Sequence, residues 1–326
     1  VLSEPTDPNG RLLPIALSVL AVLCIHINSS AIVGSLSTGG ATGRSMQVRR
    51  WPLKVKSAVS TQFRTIRSTI SDLSYHIANG PSKGSSFPFN LNEDTNTRIP
   101  FQFKSQKGQI LAHTAWPEGD SDEKLPLLIL IHEFFGGLNP SIIDKADALA
   151  KELNCVVIAP ETFRGVSTTF IPRAIWLALS TPQQRVNDDI DTVVDWASEH
   201  GKIDSSRIAL MGFCYGGGKA IRYTTQRLPI AATVICYGSP VTDPDTLKNL
   251  KAPVCGVYGS LDPQFPPSVL SNFRAGLNQA GIQHKLEVYD GVGHAFWANM
   301  DQITRGQKPQ IDAWNQCIGF LRTFFE

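Results

Sequence analysis

A cysteine stands between glycines at the spacing that exposes a nucleophile, in Gly212-Phe213-Cys214-Tyr215-Gly216-Gly217-Gly218. The apolar run IALMGF (208–213) leads into it and a helical pattern, KAIRYTTQ (219–226), follows. The G-x-C-x-G motif therefore falls in a strand–turn–helix context, a nucleophile elbow with cysteine in place of serine. Such a turn is strained, so the positions two before and two after the nucleophile must lack a Cβ that would clash. The helix N-terminus behind the thiol favours the thiolate through its free N–H groups and its dipole. Glycine-rich strand–helix turns also bind phosphates, but this one has neither the G-x-x-x-x-G-K-S/T nor the G-x-G-x-x-G spacing. A purely structural cysteine is the other alternative.

An acid and a base follow in order. Tyr258-Gly259-Ser260-Leu261-Asp262-Pro263 ends an apolar strand with a carboxylate in a turn, and Asp290-Gly291-Val292-Gly293-His294-Ala295-Phe296 places a histidine after the last strand. Turn aspartates and loop histidines are common singly, but three such residues at strand ends in the order nucleophile, acid, histidine point to acyl transfer. His294 takes the proton of Cys214 and later activates water, while Asp262 fixes the imidazole tautomer and stabilises its cation. Backbone N–H groups stabilise the oxyanion: Tyr215 is one donor and Phe134, after the first apolar strand, the second. Losing one such donor typically costs ~2.7–4 kcal/mol.

The elements that must position these residues are readable from periodicity. Phe101–Ser105 and Gln109–Trp116 form an opening hairpin closed by Gln106-Lys107-Gly108. Leu125–His132 is wholly apolar up to its histidine, the mark of a strand covered on both faces. Cys155–Pro160, Arg207–Phe213, Ala232–Tyr237, Pro253–Tyr258 and Lys285–Tyr289 read as further strands. Helical stripes run over Ser141–Leu153 (Ile142, Ala146, Leu149, Leu153), Pro182–Glu199, Pro267–Ala280 and Ile311–Phe325. About eight strands with crossover helices predict a mostly parallel sheet flanked by helices, the α/β-hydrolase architecture.

Composition agrees. The chain has 326 residues, 42% hydrophobic and 18% charged, an ordinary globular balance with room for a large core. From Arg11 to Ser71 there is no Asp or Glu but eight basic residues; from Asp72 onward, 22 Lys and Arg face 26 Asp and Glu. The body is therefore mildly acidic and offers no basic face for nucleic acid. The six cysteines show no C-x-x-C pair and no Cys/His ligand spacing, so neither a metal site nor a disulfide framework is expected. Cys155, Cys236 and Cys255 sit in apolar runs as small buried hydrophobes, and a reducing compartment follows.

The N-terminal segment reads as an address. Leu12–Ile27 is apolar for sixteen residues behind Arg11, short of the roughly 20 needed to span a membrane and suited to a signal-peptide core. Residues 32–71, rich in Ser, Thr and Arg and free of acids, have a transit-peptide composition. Together, segment 1–71 resembles the bipartite leader of a complex plastid; a secretory signal or an anchor formed by 12–27 are the alternatives. Residues 72–98 form a linker, and the folded domain is expected over 99–326, with no membrane contact in the mature form and a monomer as the default.

Four motifs, IHEFFGG (131–137), GFCYGG (212–217), GSLDPQFPP (259–267) and GVGHAF (291–296), resemble the dienelactone hydrolase family, the carboxymethylenebutenolidases. The likeness runs from about residue 100 to the C-terminus. It implies hydrolysis of an ester or lactone of small size, without a cofactor. It also implies that Glu133 hydrogen-bonds the resting thiol and helps form the thiolate; without the resemblance Glu133 is an acid at a strand end. His132 is taken as structural. The family's substrate-gripping arginine four residues after the histidine is Ala298 here, flanked by Trp297 and Asn299. A second family arginine corresponds to Arg173 or Arg185, and Arg173 and Trp297 are the candidate substrate contacts. A non-catalytic scaffold on the same fold and a redox-sensing thiol are the competing readings.

Overall fold

A run of seven residues, Leu-Pro-Leu-Leu-Ile-Leu-Ile, is buried along its whole length as a central strand, and the molecule is built around it. The computed structural model describes residues 101–105, 108–119, 123–227 and 230–326. The leader over 1–71, with its stretches 12–27 and 32–71, and the linker 72–98 lie outside the described residues. So do the predicted domain start near Ile99 and the hairpin residues Gln106 and Lys107.

The strands are β1 (Phe101–Ser105), β2 (Gly108–Ala115), β3 (Leu125–Ile131), β4 (Val156–Pro160), β5 (Ile203–Phe213), β6 (Ala232–Cys236), β7 (Val254–Gly259) and β8 (His284–Tyr289). They form one sheet in the order β1-β2-β4-β3-β5-β6-β7-β8. β1 and β2 pair antiparallel, as do β2 and β4. Every other pairing is parallel. This is the α/β-hydrolase fold predicted from the sequence.

The helices are α1 (Pro140–Leu153), α2 (Ile171–Ser180), α3 (Gln183–Glu199), α4 (Tyr215–Thr224), α5 (Pro244–Leu247), α6 (Pro267–Gln279), α7 (Met300–Thr304) and α8 (Gln310–Phe325). Strand alternation divides the core. Leu128 and Leu130 of β3 join α1 and α8 on one face, while Leu127, Ile129 and Ile131 join α3 on the other. Burying each such side chain contributes roughly 1.5–3 kcal/mol before the cost of ordering it.

Local chemistry sets the ends of α1. The Asn139 side chain accepts from Ile142 N, Pro140 opens the helix, and Asn154 closes it in the left-handed region with φ 47°. Four elements depart from expectation, the short helices α5 and α7 among them, which the sequence reading did not include. β5 begins at Ile203, ahead of the expected start at Arg207: after the buried Ile203 its residues 204–207 are polar, with Ser205 and Ser206 exposed, and the pairing with β3 passes a bulge, so no apolar alternation marks this stretch. α2 was not anticipated: it buries only Ala174 and Leu177, leaves Trp176 and Leu179 exposed, and has no capping side chain.

Candidate active site

In a parallel sheet the carboxyl ends of the strands lie on one edge, and all three residues of the acyl-transfer set stand there. Cys214 follows β5, Asp262 follows β7 by three residues and His294 follows β8 by five. Cys214 has φ 51° and ψ −112°, a torsion pair that side-chain-bearing residues rarely adopt. The strained turn is held by Cys214 N donating to Cys236 O at 2.9 Å and Gly218 N donating to Cys214 O at 3.2 Å. The glycines are needed sterically. A Cβ on Gly212 would strike the backbone of Gly216, and one on Gly216 would strike the carbonyl oxygens of Ile131 and His132.

The side chains meet in a line. His294 Nε2 lies 3.0 Å from Cys214 Sγ, and His294 Nδ1 lies 2.7 Å from Asp262 Oδ2. Asp262 is buried, and its other oxygen accepts from Gln264 N at 2.8 Å. Its turn is tied to the histidine loop by Leu261 N donating to Val292 O at 2.9 Å. Gly259 makes that approach possible, since a Cβ there would meet the carbonyls of Val292 and Gly293. The rings of Tyr237 and Phe265 flank the imidazole, with centroids 5.4 and 5.9 Å away. Burial opposes charge on His294, but negative charge at Cys214 and hydrogen bonding to Asp262 outweigh it and hold the imidazole well above the ordinary histidine range. The arrangement can store an imidazolium–thiolate pair.

The oxyanion candidates border this line. Tyr215 N–H is the first of α4 and has no carbonyl within its own helix to bond. Phe134 lies three residues past Ile131, which pairs in register with Gly212 one strand away.

Glu133 is placed differently from the expected thiol contact. Its carboxylate accepts from Tyr237 Oη at 3.2 Å, while the sulfur's partner is the imidazole. The same Tyr237 hydroxyl is 3.1 Å from Trp297 O, so one proton is shared between two acceptors. His132 is fully buried. Its Nδ1 faces Glu133 O at 2.6 Å and its Nε2 accepts from Thr162 N at 3.1 Å, which fixes a neutral tautomer. Burial lowers its pKa against the raising influence of Glu161. His132 thus braces the turn carrying Glu133 and Phe134.

Of the candidate substrate contacts, Arg173 is exposed on α2, and among the described residues no contact joins it to the triad. Trp297 is fully buried, packed edge-on against Phe213 at 5.1 Å and Trp314 at 5.6 Å. It is a wall behind the site and not a lining residue, because an apolar ring of that size is drawn into the core. Arg185 lies nearer. It donates to Thr162 O at 3.0 Å and Thr181 Oγ1 at 2.8 Å, and the Tyr215 hydroxyl is 3.4 Å from Thr162 Oγ1. Lys219 Nζ stands 5.3 Å over the Tyr215 ring, its pKa lowered to about 8 by burial and then by Arg222 and Arg185. Tyr237 and Phe265 were missed by sequence reasoning. The available signal for Tyr237 was its place at the end of an apolar strand on the catalytic edge.

Residues 110–325 match the dienelactone hydrolase family. The chain belongs to that family. A carboxymethylenebutenolidase-like protein of Escherichia coli O157:H7 is 31% identical over 242 residues, covering 70% of this chain and 86% of its own. A similar protein of Methylorubrum extorquens is 32% identical over 248 residues, covering 71% and 83%. The crystal structure of a dienelactone hydrolase-like protein from Klebsiella pneumoniae superposes with a TM-score of 0.61 at 28% identity, covering 69% of this chain and 99% of that one. This family member is accordingly a carboxylic ester hydrolase of the carboxymethylenebutenolidase kind. Among the described residues, no helix is long and apolar enough to cross a membrane and no group of three or more His, Cys, Asp or Glu could hold a metal ion.

Proposed function

We propose that this chain is a cofactor-independent thiol hydrolase that opens small esters or lactones through Cys214, His294 and Asp262. The observation that carries the reading is the unbroken line from sulfur to imidazole to carboxylate, at 3.0 and 2.7 Å. The Cys214 thiolate attacks the acyl carbon, and the carbonyl electrons move onto oxygen between the N–H groups of Tyr215 and Phe134. Collapse of that intermediate breaks the acyl–oxygen bond, and His294 Nε2 gives its proton to the leaving oxygen. His294 then takes a proton from water, the hydroxide adds to the thioester, and the carboxylic product leaves as sulfur regains its charge. With a lactone the leaving oxygen stays attached and the ring opens to a hydroxy acid.

Glu133 has a part in this reading as a carboxylate held by the Tyr237 hydroxyl, which the family resemblance would bring to the thiol. Where the family has a carboxylate-gripping arginine, Ala298 offers no side-chain charge, so uncharged esters should fare well against anionic lactones. The test is steady-state hydrolysis of p-nitrophenyl acetate and of a cis-dienelactone by the full chain. Turnover of both with the higher KM on the dienelactone is expected; a folded protein inactive on both, or one hydrolysing equally well after Cys214→Ala, overturns the reading.

A further inference from the structure

One ammonium group lies where the core should be apolar. Lys145 falls on the face of α1 that also carries Ile142, Ala146 and Leu149, and it is 1% exposed. Taking a charge that far from water costs several kcal/mol unless neighbours replace the solvent. Among the described residues no carboxylate lies within 4.0 Å of it. Its Nζ instead points at π faces and a carbonyl: 4.6 Å from the Phe213 ring centroid, 5.7 Å from that of Trp297, and 3.3 Å from Ala298 O.

Each of those contacts belongs to the catalytic edge. Phe213 immediately precedes Cys214, and Trp297 and Ala298 follow His294 by three and four residues. Ala298 O also accepts from Ser141 Oγ, so two side chains of α1 hold one carbonyl of the histidine loop. The titratable groups whose charge acts on Lys145 are Glu133 past β3, Cys236 at the end of β6 and Asp144 on its own helix; burial pushes its pKa down, and these three oppose that and favour the ammonium. The packed face of α8, with Ala313, Trp314 and Cys317, carries no formal charge.

We propose that Lys145 is a positioning residue for the thiol chemistry. Its ammonium locks the His294 loop against the elbow and supplies the positive charge that favours the thiolate at Cys214. A neutral amine would make no cation–π contact with either ring. The proposal rests on the thiol-hydrolase reading above, and the two are separable because alkylation of Cys214 needs no substrate.

The experiment measures the rate of iodoacetamide alkylation at Cys214 against pH, by peptide mass spectrometry, in the full chain and in its Lys145→Met and Lys145→Gln variants. In the wild type the reactive form should appear below the ordinary thiol pKa of about 8.5. Both variants should move that rise to higher pH by about half a unit or more, because a favourable positive charge is gone. Gln can still donate to Ala298 O, so its profile isolates the charge and carries the test if Met fails to fold. A lower plateau with an unmoved midpoint would mean that Lys145 only packs, and would overturn the proposal while leaving the hydrolase reading intact. A wild-type Cys214 with no reactivity below pH 8 would remove both.

Discussion

Cys214 carries the strain of the site in its own backbone, with φ at 51°, and that torsion lifts its sulfur to the imidazole 3.0 Å away. A residue in such a region costs about 1–3 kcal/mol, which the surrounding strand and helix must offset. Asp262 acts one bond further out. Asp262→Asn keeps the shape but presents an amide to His294 Nδ1, and kcat should fall by roughly 10²- to 10⁴-fold, read in steady-state hydrolysis. The sign of its pH effect follows from the charges. The carboxylate favours the imidazolium and with it the thiolate, so its loss should move the rise of Cys214 alkylation to higher pH. Cys214, Asp262 and His294 were legible in the sequence because each is announced by the strand it follows. Tyr237 and Lys145 were not, because their roles depend on loops from different strands meeting above the sheet. Trp297 misled for the same reason: adjacency to His294 in sequence says nothing about which way the ring turns.

The elbow is a crossing of elements, where the start of α4 presses on the end of β3. Gly216→Ala would force a methyl into the carbonyls of Ile131 and His132, both backbone atoms that cannot swing aside. Its melting temperature should drop by several degrees, with loss of hydrolysis in whatever remains folded, as thermal denaturation and rate assays would read. Trp297 holds elements together in another way, filling the space between Phe213 and Trp314. Trp297→Ala should cost roughly 3–5 kcal/mol of stability in a denaturant melt. Helices α1, α3, α6 and α8 were visible in the sequence as apolar stripes. α2 escaped because its buried face is only Ala174 and Leu177 while the larger Trp176 and Leu179 are exposed, so its apolar residues mark no single stripe.

At the scale of the whole molecule, the sheet separates catalysis from anchorage. The proposed catalytic residues Cys214, Asp262 and His294 occupy the carboxyl edge, while Arg207, near the opposite end of β5, ties the fold together. It bonds Asp204, Lys124 O at 2.8 Å and the carbonyl of Phe325 at the end of α8. Arg207→Met should therefore lower stability by about 1–2 kcal/mol and leave kcat/KM unchanged. A drop in both would mean that the two edges are coupled. The mostly parallel core was legible because apolar runs and crossover helices leave few topologies open, whereas the strand order, with β4 between β2 and β3, was not read from the sequence.

The central claim is that sulfur at position 214 performs the attack. The direct measurement is hydrolysis of p-nitrophenyl acetate by the full chain against its Cys214→Ala variant, both shown to melt at the same temperature. The account predicts turnover in the first and none above the uncatalysed rate in the second. Equal rates in the two would contradict it.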